Sequence, residues 1–474
     1  MLTSSIRAAL ILVVLVFAGP ASRAAGDPLR ARAVEALRTA ASYYVEHVAT
    51  HGGYVYHYDL DDGTRWGEGE ATVDQIWVQP PGTPTVGMAY LDAYGATGER
   101  FYLDAATDAA LALAYGQLKS GGWTNSIDFD PDGQRVSDYR NGKGRGRNVS
   151  SLDDGQSQSA LMLMIRADRA HEFRHEQISE IARIGLDALL AAQFPNGGFP
   201  QIWRGPVGER PVIPARFPDG DWQHAKRIKN YWDMYTLNDN VCGYVAQVLV
   251  LAHETYDDPR YLAALRKLGD FLVLAQLPEP QRGWAQQYDE AMHPIWARRF
   301  EPPAIASDET QEAIATLLTI ASVTGDDKYL EPLPAALRYL QRSTLEDGRL
   351  ARYYELETNR PLYMRRRGRD YEPTFSDENL PGNYAWKVES RIDELRQRLR
   401  RVQRGIAEPR PRVPVSDVRR VLRELDDQGR WVSIYDGGRL VGQPIFEPGD
   451  RYLCSQRFSE NVSLLSRFIA ERED

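Results

Sequence analysis

The chain is poor in cysteine, in long apolar runs and in strictly alternating stretches, and each shortage removes a class of protein. Two cysteines in 474 residues, Cys242 and Cys454, are too few for a disulfide scaffold, and their positions leave open whether they pair. A formal net charge of −9 disfavours nucleic acid and gives no long-range pull toward an acidic polymer, so an anionic ligand must be attracted locally. The one marked apolar run, Ala8 to Ala18 after Arg7, is shorter than the ~20 residues that a bilayer span needs. Followed by Gly19, Pro20 and a small-residue stretch to Ala25, it has the form of a leader cleaved near Ala24 or Ala25. The expected product is secreted or periplasmic, free of the membrane after cleavage, and monomeric.

What is present is helical spacing. Val34, Leu37, Ala41, Tyr44 and Val48 lie on one helix face, as do Leu262, Leu265, Leu268 and Leu272, and again Leu330, Leu333, Leu337 and Leu340. A glycine followed by a bulky residue recurs at Gly53, Gly122, Gly198, Gly283, Gly348 and Gly429, at spacings of 69, 76, 85, 65 and 81 residues. That is the length of a helical hairpin with one long loop, and a near-regular period of this size indicates a repeat architecture. A second echo, "YGATGERFYL", "YDDPRYL" and "VTGDDKYL", marks short turns between helices. The expected fold is all-α: six hairpins in an α/α toroid spanning residues 26–474 as a single domain. The charged stretch around 388–431 is expected to be a helical insertion outside the ring. In a ring of hairpins the loops at one end surround a cleft, which makes loop residues the functional candidates.

Four stretches carry candidate chemistry. "NVSSLDDGQSQSALMLMI" sets Asp153 and Asp154 at the start of an apolar helix. One Asp there would serve as a cap; two adjacent carboxylates suit a hard cation such as Ca²⁺. "TLNDNV" repeats the logic with Asn238, Asp239 and Asn240. In "PIWARRFEPP" the prolines exclude a continuous helix, so Arg298 and Arg299 sit on an ordered loop with Glu301 available to pair with either. Ser307 is expected to cap the next helix, with Asp308 and Glu309 in its first turn. "LARYYELETNRPLYMRRRGRDY" concentrates Arg352 and the Arg365–Arg369 cluster in an acidic chain, and arginine matches carboxylate geometry.

In this order, "LDDGQSQ", "FPNGGFPQIW", "TLNDNV", "QQYD…ARRFEPPAIAS" and "ARYYELETNRPLY" running on to Arg366 resemble the motifs of polysaccharide lyase family 10, the calcium-dependent pectate lyases. The resemblance runs from about Gly122 to Trp386. It implies Asp153 and Asp239 as ligands of calcium or of a calcium bridge to a bound uronate, and Arg298 as the catalytic base. It also implies Arg352, Arg366 and Asp154 on the substrate, an anionic polysaccharide of the polygalacturonate kind. Arginine is an awkward base, because its ordinary pKa is about 12.5 or higher; stabilising the enolate is its alternative role. The chain departs from the pattern in the Gln-Ser-Gln-Ser run after "LDDG", in Ala306-Ser307, and in an insertion between Arg204 and Asn230, which leaves the precise polymer open. Three rivals remain: a glycoside hydrolase on the same ring, built on paired carboxylates, a terpene cyclase suggested by "DLDD" at Asp59–Asp62, and a non-catalytic sugar-binding protein, which fits the aromatics but leaves the arginines unexplained.

Overall fold

The computed structural model describes residues 27–472 except 225 and 383. The leader-like stretch therefore lies outside the described residues. Among them are twelve α-helices: α1 (Pro28–Tyr43), α2 (Thr83–Thr97), α3 (Arg100–Tyr115), α4 (Gln156–Ala170), α5 (Glu176–Ala191), α6 (Val241–Tyr256), α7 (Pro259–Ala275), α8 (Ser307–Thr324), α9 (Leu333–Arg342), α10 (Ile392–Gln403), α11 (Val415–Glu424) and α12 (Ser455–Ala470). No described helix is long and apolar enough to cross a membrane.

The even-numbered helices form the inner ring: α2, α4, α6 and α8 pack side by side in that order, α10 follows α8, and α12 packs along α2. The odd-numbered helices back them, each against one or both of its even neighbours. The architecture is thus the expected α/α toroid. The stretch expected to lie outside the ring does not: α10 packs on α8 and α9, and α11 on α1 and α12. Its charge is misleading because both helices are strongly one-sided. Ile392, Leu395 and Leu399 on α10, and Val418 and Val421 on α11, face the core while arginines cover the rest.

The glycine turns follow the odd helices, and they are built alike. Gly121, Gly197, Gly348 and Gly429 take φ of 92°, 94°, 84° and 81°. At Gly197 a Cβ would run into the backbone carbonyl of Lys267 on α7, so both the left-handed backbone and the close approach require glycine. The aromatic that follows is an anchor. Trp123 Nε1 donates to Leu113 O (2.8 Å), Trp284 Nε1 to Leu272 O (2.8 Å) and Trp431 Nε1 to Val421 O (2.9 Å), each reaching back to the end of the preceding odd helix. Each such ring buries on the order of 200 Å², about 5 kcal/mol of gross apolar stabilisation at ~25 cal/mol/Å². A glutamine before the turn, Gln117, Gln193 or Gln276, donates both into its own turn and to the next outer helix or its approach, at Ile181 O, Ala264 O and Pro332 O.

The two ends of the ring are unlike. Turns from even to odd helices are mostly short, Gly98–Glu99 and Asp257–Asp258 being two-residue links. Connections from odd to even helices are long and carry all the strands, in a five-stranded sheet, a four-stranded sheet and several pairs. The long end is where a cleft can form.

His57, on the strand His57–Asp59 of the five-stranded sheet, is buried against the rings of Phe446 (6.2 Å) and Tyr452 (5.5 Å). Its Nε2 donates to Val441 O at 3.0 Å, while Nδ1 has no partner. Burial pushes its pKa down to about 4. The unfolded chain therefore takes up a proton near pH 6.5 that the folded protein refuses until about pH 4, so stability is full above 6.5 and lost as pH falls between the two. The expected loss is about 3 kcal/mol between pH 7 and pH 4. Urea melts should show a smaller loss in His57→Gln over the same window.

Candidate active site

Two short loops open the site. Leu152-Asp153-Asp154-Gly155 leads into α4 and Leu237-Asn238-Asp239-Asn240 into α6, each as one 3₁₀ turn with the same left-handed residues. Asp154 has φ 45° and Asp239 φ 53°, followed by Gly155 at 73° and Asn240 at 55°. Non-glycine residues held there cost of order 1 kcal/mol each, and such strain gathers at functional sites. Neither loop uses an aspartate as a side-chain cap.

The first residue of each 3₁₀ turn, Asp153 or Asn238, is tied back by the next repeat. Gln201 Nε2 donates to Asp153 Oδ1 at 2.5 Å, and Gln286 Nε2 to Asn238 Oδ1 at 2.9 Å. The second residues, Asp154 and Asp239, line a cavity of about 750 Å³. Asp154 and Asp239 thus hold the same place in the two turns and both line the cavity, while the Asp153 carboxyl lies close to that of Asp239. Burial, then the charges of Asp239 and Asp154, push the Asp153 pKa up; burial, Asp239 and Glu68 do the same to Asp154.

Arg298 lies over this acidic group. Its Nε donates to Glu301 Oε1 (2.7 Å), its Nη2 to Asp239 Oδ2 (3.2 Å), and its backbone N–H to Glu301 Oε2 (3.0 Å). Nη2 also stands 2.7 Å from Glu301 Oε1. Nη1 bonds to no described residue. Burial by itself would lower the Arg298 pKa, but Glu301 and Asp239 together outweigh it and hold the guanidinium charged. Arg299 turns the other way, to Arg369 O and Asp370 (3.2 Å). The insertion supports this loop from outside: Ile228 N donates to Trp296 O and Arg227 Nε to Ala297 O, both at 3.0 Å.

Further along, Arg352 is nearly buried, with Nη1 3.4 Å from Asp308 Oδ2, Nη2 3.8 Å from Glu309 Oε1, and its guanidinium 4.2 Å from the Tyr384 ring centre. Gln286 Nε2 is also within 3.0 Å of Glu309 Oε1 and 3.2 Å of Tyr384 OH, and Tyr353 OH donates to Gln286 Oε1 at 2.9 Å. Arg352 Nε and Glu309 Oε2 are buried without partners. Ser307 is not the cap expected of it; it is already helical and its hydroxyl donates to Ala351 O at 2.6 Å.

Arg366 is not part of this assembly. It lies on the exposed end of the strand Pro361–Arg367, paired across the hairpin with Tyr371, whose ring packs 5.4 Å from Phe300. The "DLDD" stretch is an exposed hairpin turn in which Asp59 Oδ1 accepts from the N–H groups of Asp61 and Asp62. It does not line the cavity that Asp154 and Asp239 line. Cys242 and Cys454 are free thiols.

Gln201, Gln286 and Tyr384 are not singled out by the sequence, whereas Glu301, expected to pair with one of the two arginines, pairs with Arg298. A signal existed for two of them: Gln201 and Gln286 each stand three residues after the second glycine-turn position, Gly198 and Gly283, as Asn125 does after Gly122. Tyr384 has no such register, because it arrives from a different connection.

The donor set fits a hard cation. It is all oxygen, its carboxylates repel one another, and the amide oxygen of Asn240 on the same loop is buried without a partner. Among the described residues no three His, Cys, Asp or Glu side chains stand ready to hold a metal, so a cation held here would draw the rest of its shell from substrate and water.

An arginine clamped over an acidic pair, with a second arginine along the same cavity, is equipment for acidic sugars, and the class is that of α/α-toroid polysaccharide lyases. The chain belongs to the pectic acid lyase family, whose model matches residues 117–389. A search of curated proteins finds no match. Among solved structures, it is similar to a family 10 polysaccharide lyase from Cellvibrio cellulosa, at 18% identity over 67% of this chain and 96% of that one with a TM-score of 0.48. A variant of a Cellvibrio cellulosa family 10 lyase, in complex with trigalacturonic acid, matches at 17% identity over 68% and 98% with a TM-score of 0.47. Cellobiose 2-epimerase from Spirochaeta thermophila matches at 15% over 94% and 98% with a TM-score of 0.46.

Proposed function

We propose that the protein cleaves polygalacturonate by β-elimination with the help of Ca²⁺. The observation that carries this reading is Arg298, fixed by Glu301 and by the cavity-lining Asp239, with Nη1 bonded to no described residue. β-Elimination removes the C5 proton of a uronate, breaks the bond from C4 to the glycosidic oxygen, and leaves a C4–C5 double bond. Negative charge builds on the C5 carboxylate, and a guanidinium donor fixed beforehand stabilises that charge at no cost in reorganisation. Arg298 is the catalytic residue; Nη1 is the atom that reaches C5 and its carboxylate. Proton abstraction by Arg298 itself requires that the charge of Asp239 be neutralised.

Asp154 and Asp239, with Asp153 close to Asp239, would hold Ca²⁺, which when bound supplies a Lewis acid charge at the substrate carboxylate. Arg352 binds a second carboxylate, and the rings of Tyr384 and Trp386, 5.3 Å apart, give it an aromatic surround. The cavity walls support the cation requirement: Glu68, Asp154, Asp239, Asp308, Glu309 and Glu312 face it against Arg352 and Arg439. A polyanion entering alone would meet net repulsion. The trigalacturonic acid in the Cellvibrio complex points to the same substrate class, and the leader-like residues 1–25 support export to where such a polymer is met.

The test is direct. Purified protein on polygalacturonate with calcium should generate the ultraviolet absorbance of a conjugated unsaturated uronate. New reducing ends without that absorbance would instead establish hydrolysis and remove the proposal.

A further inference from the structure

The cavity runs from the start of α2, at Gln79 and Pro80, past Asp154 and Asp239 at α4 and α6, to Asp308 and Arg352 at α8. Its α2 end is walled by residues outside the matched family region of 117–389: Glu68 and the segment Arg439–Gln443 from the long connection before α12. That segment is held in place. Val441 O accepts from buried His57, and Gly442, at φ 74°, lies so close to Gly67 O that a Cβ would collide with it. Leu440 O accepts from Gln443 N at 3.1 Å, closing a turn.

Arg439 stands at the head of this wall, exposed, and makes no hydrogen bond or ion pair with any described residue. The other arginine lining the cavity, Arg352, is already engaged by Asp308 and Glu309. Of the two arginines lining the cavity, Arg439 is therefore the one that offers a polyanion a guanidinium with no partner among the described residues. We infer that Arg439 is a specificity-determining residue, binding the carboxylate of a uronate in the arm of the substrate that extends toward α2, away from Arg352. This rests on the reading of the cleft as a polyuronate lyase site. Because the contact is remote from the reacting carbon, it should act on ground and transition states alike, raising KM and sparing kcat when lost.

The test is affinity electrophoresis through gels containing polygalacturonate and calcium, with highly methyl-esterified pectin as the comparison polymer. Arg439→Ala is expected to raise the dissociation constant for polygalacturonate about tenfold, the effect of losing one charge-assisted hydrogen bond. It should make no difference on esterified pectin, where the carboxylate is masked. Arg439→Lys should recover part of the loss, and kcat of both variants should stay within about twofold of wild type. Equal retardation of wild type and Arg439→Ala on polygalacturonate overturns the assignment. So does a loss of the same size on both polymers, which would mean a merely structural role. Wild-type protein that makes no unsaturated product, yet is retarded, refutes the lyase reading while the gel still judges Arg439. Wild-type protein that is not retarded overturns both.

Discussion

Replacing Arg298 with alanine is expected to lower kcat on polygalacturonate by at least about a thousandfold, in line with the loss of one preorganised donor at the reacting centre, while polymer affinity stays within about threefold. The geometry gives the reason for the split. Arg298 shares its guanidinium with Glu301 and Asp239 at 2.7–3.2 Å, and only Nη1 is left for substrate. On the proposed reading ground-state binding falls to Arg352 and Arg439, elsewhere along the cavity. The alanine variant has a structural cost as well, because Glu301 is only 2% exposed and would lose its cation; stranding a buried charge costs about 3–5 kcal/mol. Arg298→Lys separates the two effects. It keeps a positive charge beside Glu301 but lacks the planar fork, so it should melt close to wild type and still lose most of kcat. Arg299→Ala is the neighbouring control, expected within about threefold of wild-type activity because that side chain bonds away from the cleft to Arg369 O and Asp370. Steady-state kinetics with thermal melts settle the matter: a lysine variant retaining more than a tenth of wild-type kcat removes Arg298 from the chemistry.

The ring was legible in the sequence because its signal is repeated. A glycine that must be left-handed, followed by an aromatic that must be buried, recurs after each of several odd helices, and the structure shows one hydrogen-bonding scheme at Trp123, Trp284 and Trp431. The stretch 388–431 was misjudged because charge density hides amphipathicity: α10 presents Leu395 and Leu399 to the core between arginines that face outward. At the site both aspartate junctions are legible in the sequence, but the sequence pairs Asp153 with Asp239, whereas it is Asp154 that shares the place of Asp239 in the turn. What could not be read was which aspartate of the 153–154 pair faces the cavity, since adjacent residues point apart only once the left-handed turn is known. Arg366 shows the opposite limit. A motif in the right order places a residue on the right strand, but the strand Pro361–Arg367 carries it out past the cleft, to a solvent-exposed hairpin end.

Chelation is expected to reduce activity to background, with calcium restoring it and magnesium failing to, because magnesium demands a small, near-octahedral shell that keeps its water. The second consequence has a less obvious sign. Six carboxylates face the cavity, and burial together with mutual repulsion pushes the pKa values of Asp153 and Asp154 up. The folded, calcium-free protein therefore holds protons there that the unfolded chain has released, so its stability falls as pH rises from about 4, the ordinary carboxylate value, through the raised folded-state values. Relieving that repulsion should help the empty protein. Asp154→Asn and Asp239→Asn are each expected to raise the melting temperature in chelator at pH 8 or to leave it unchanged, to abolish most of the upward shift that calcium gives wild type, and to lower activity at limiting calcium by an order of magnitude or more. The double variant should also bind polygalacturonate in chelator better than wild type does, since two negative charges have left the path of a polyanion. Melts with and without calcium and retardation in chelator-containing polymer gels decide it. A double variant that is less stable than wild type in chelator, and no better retarded, would mean that Asp154 and Asp239 hold the fold together and leave the cation to another place.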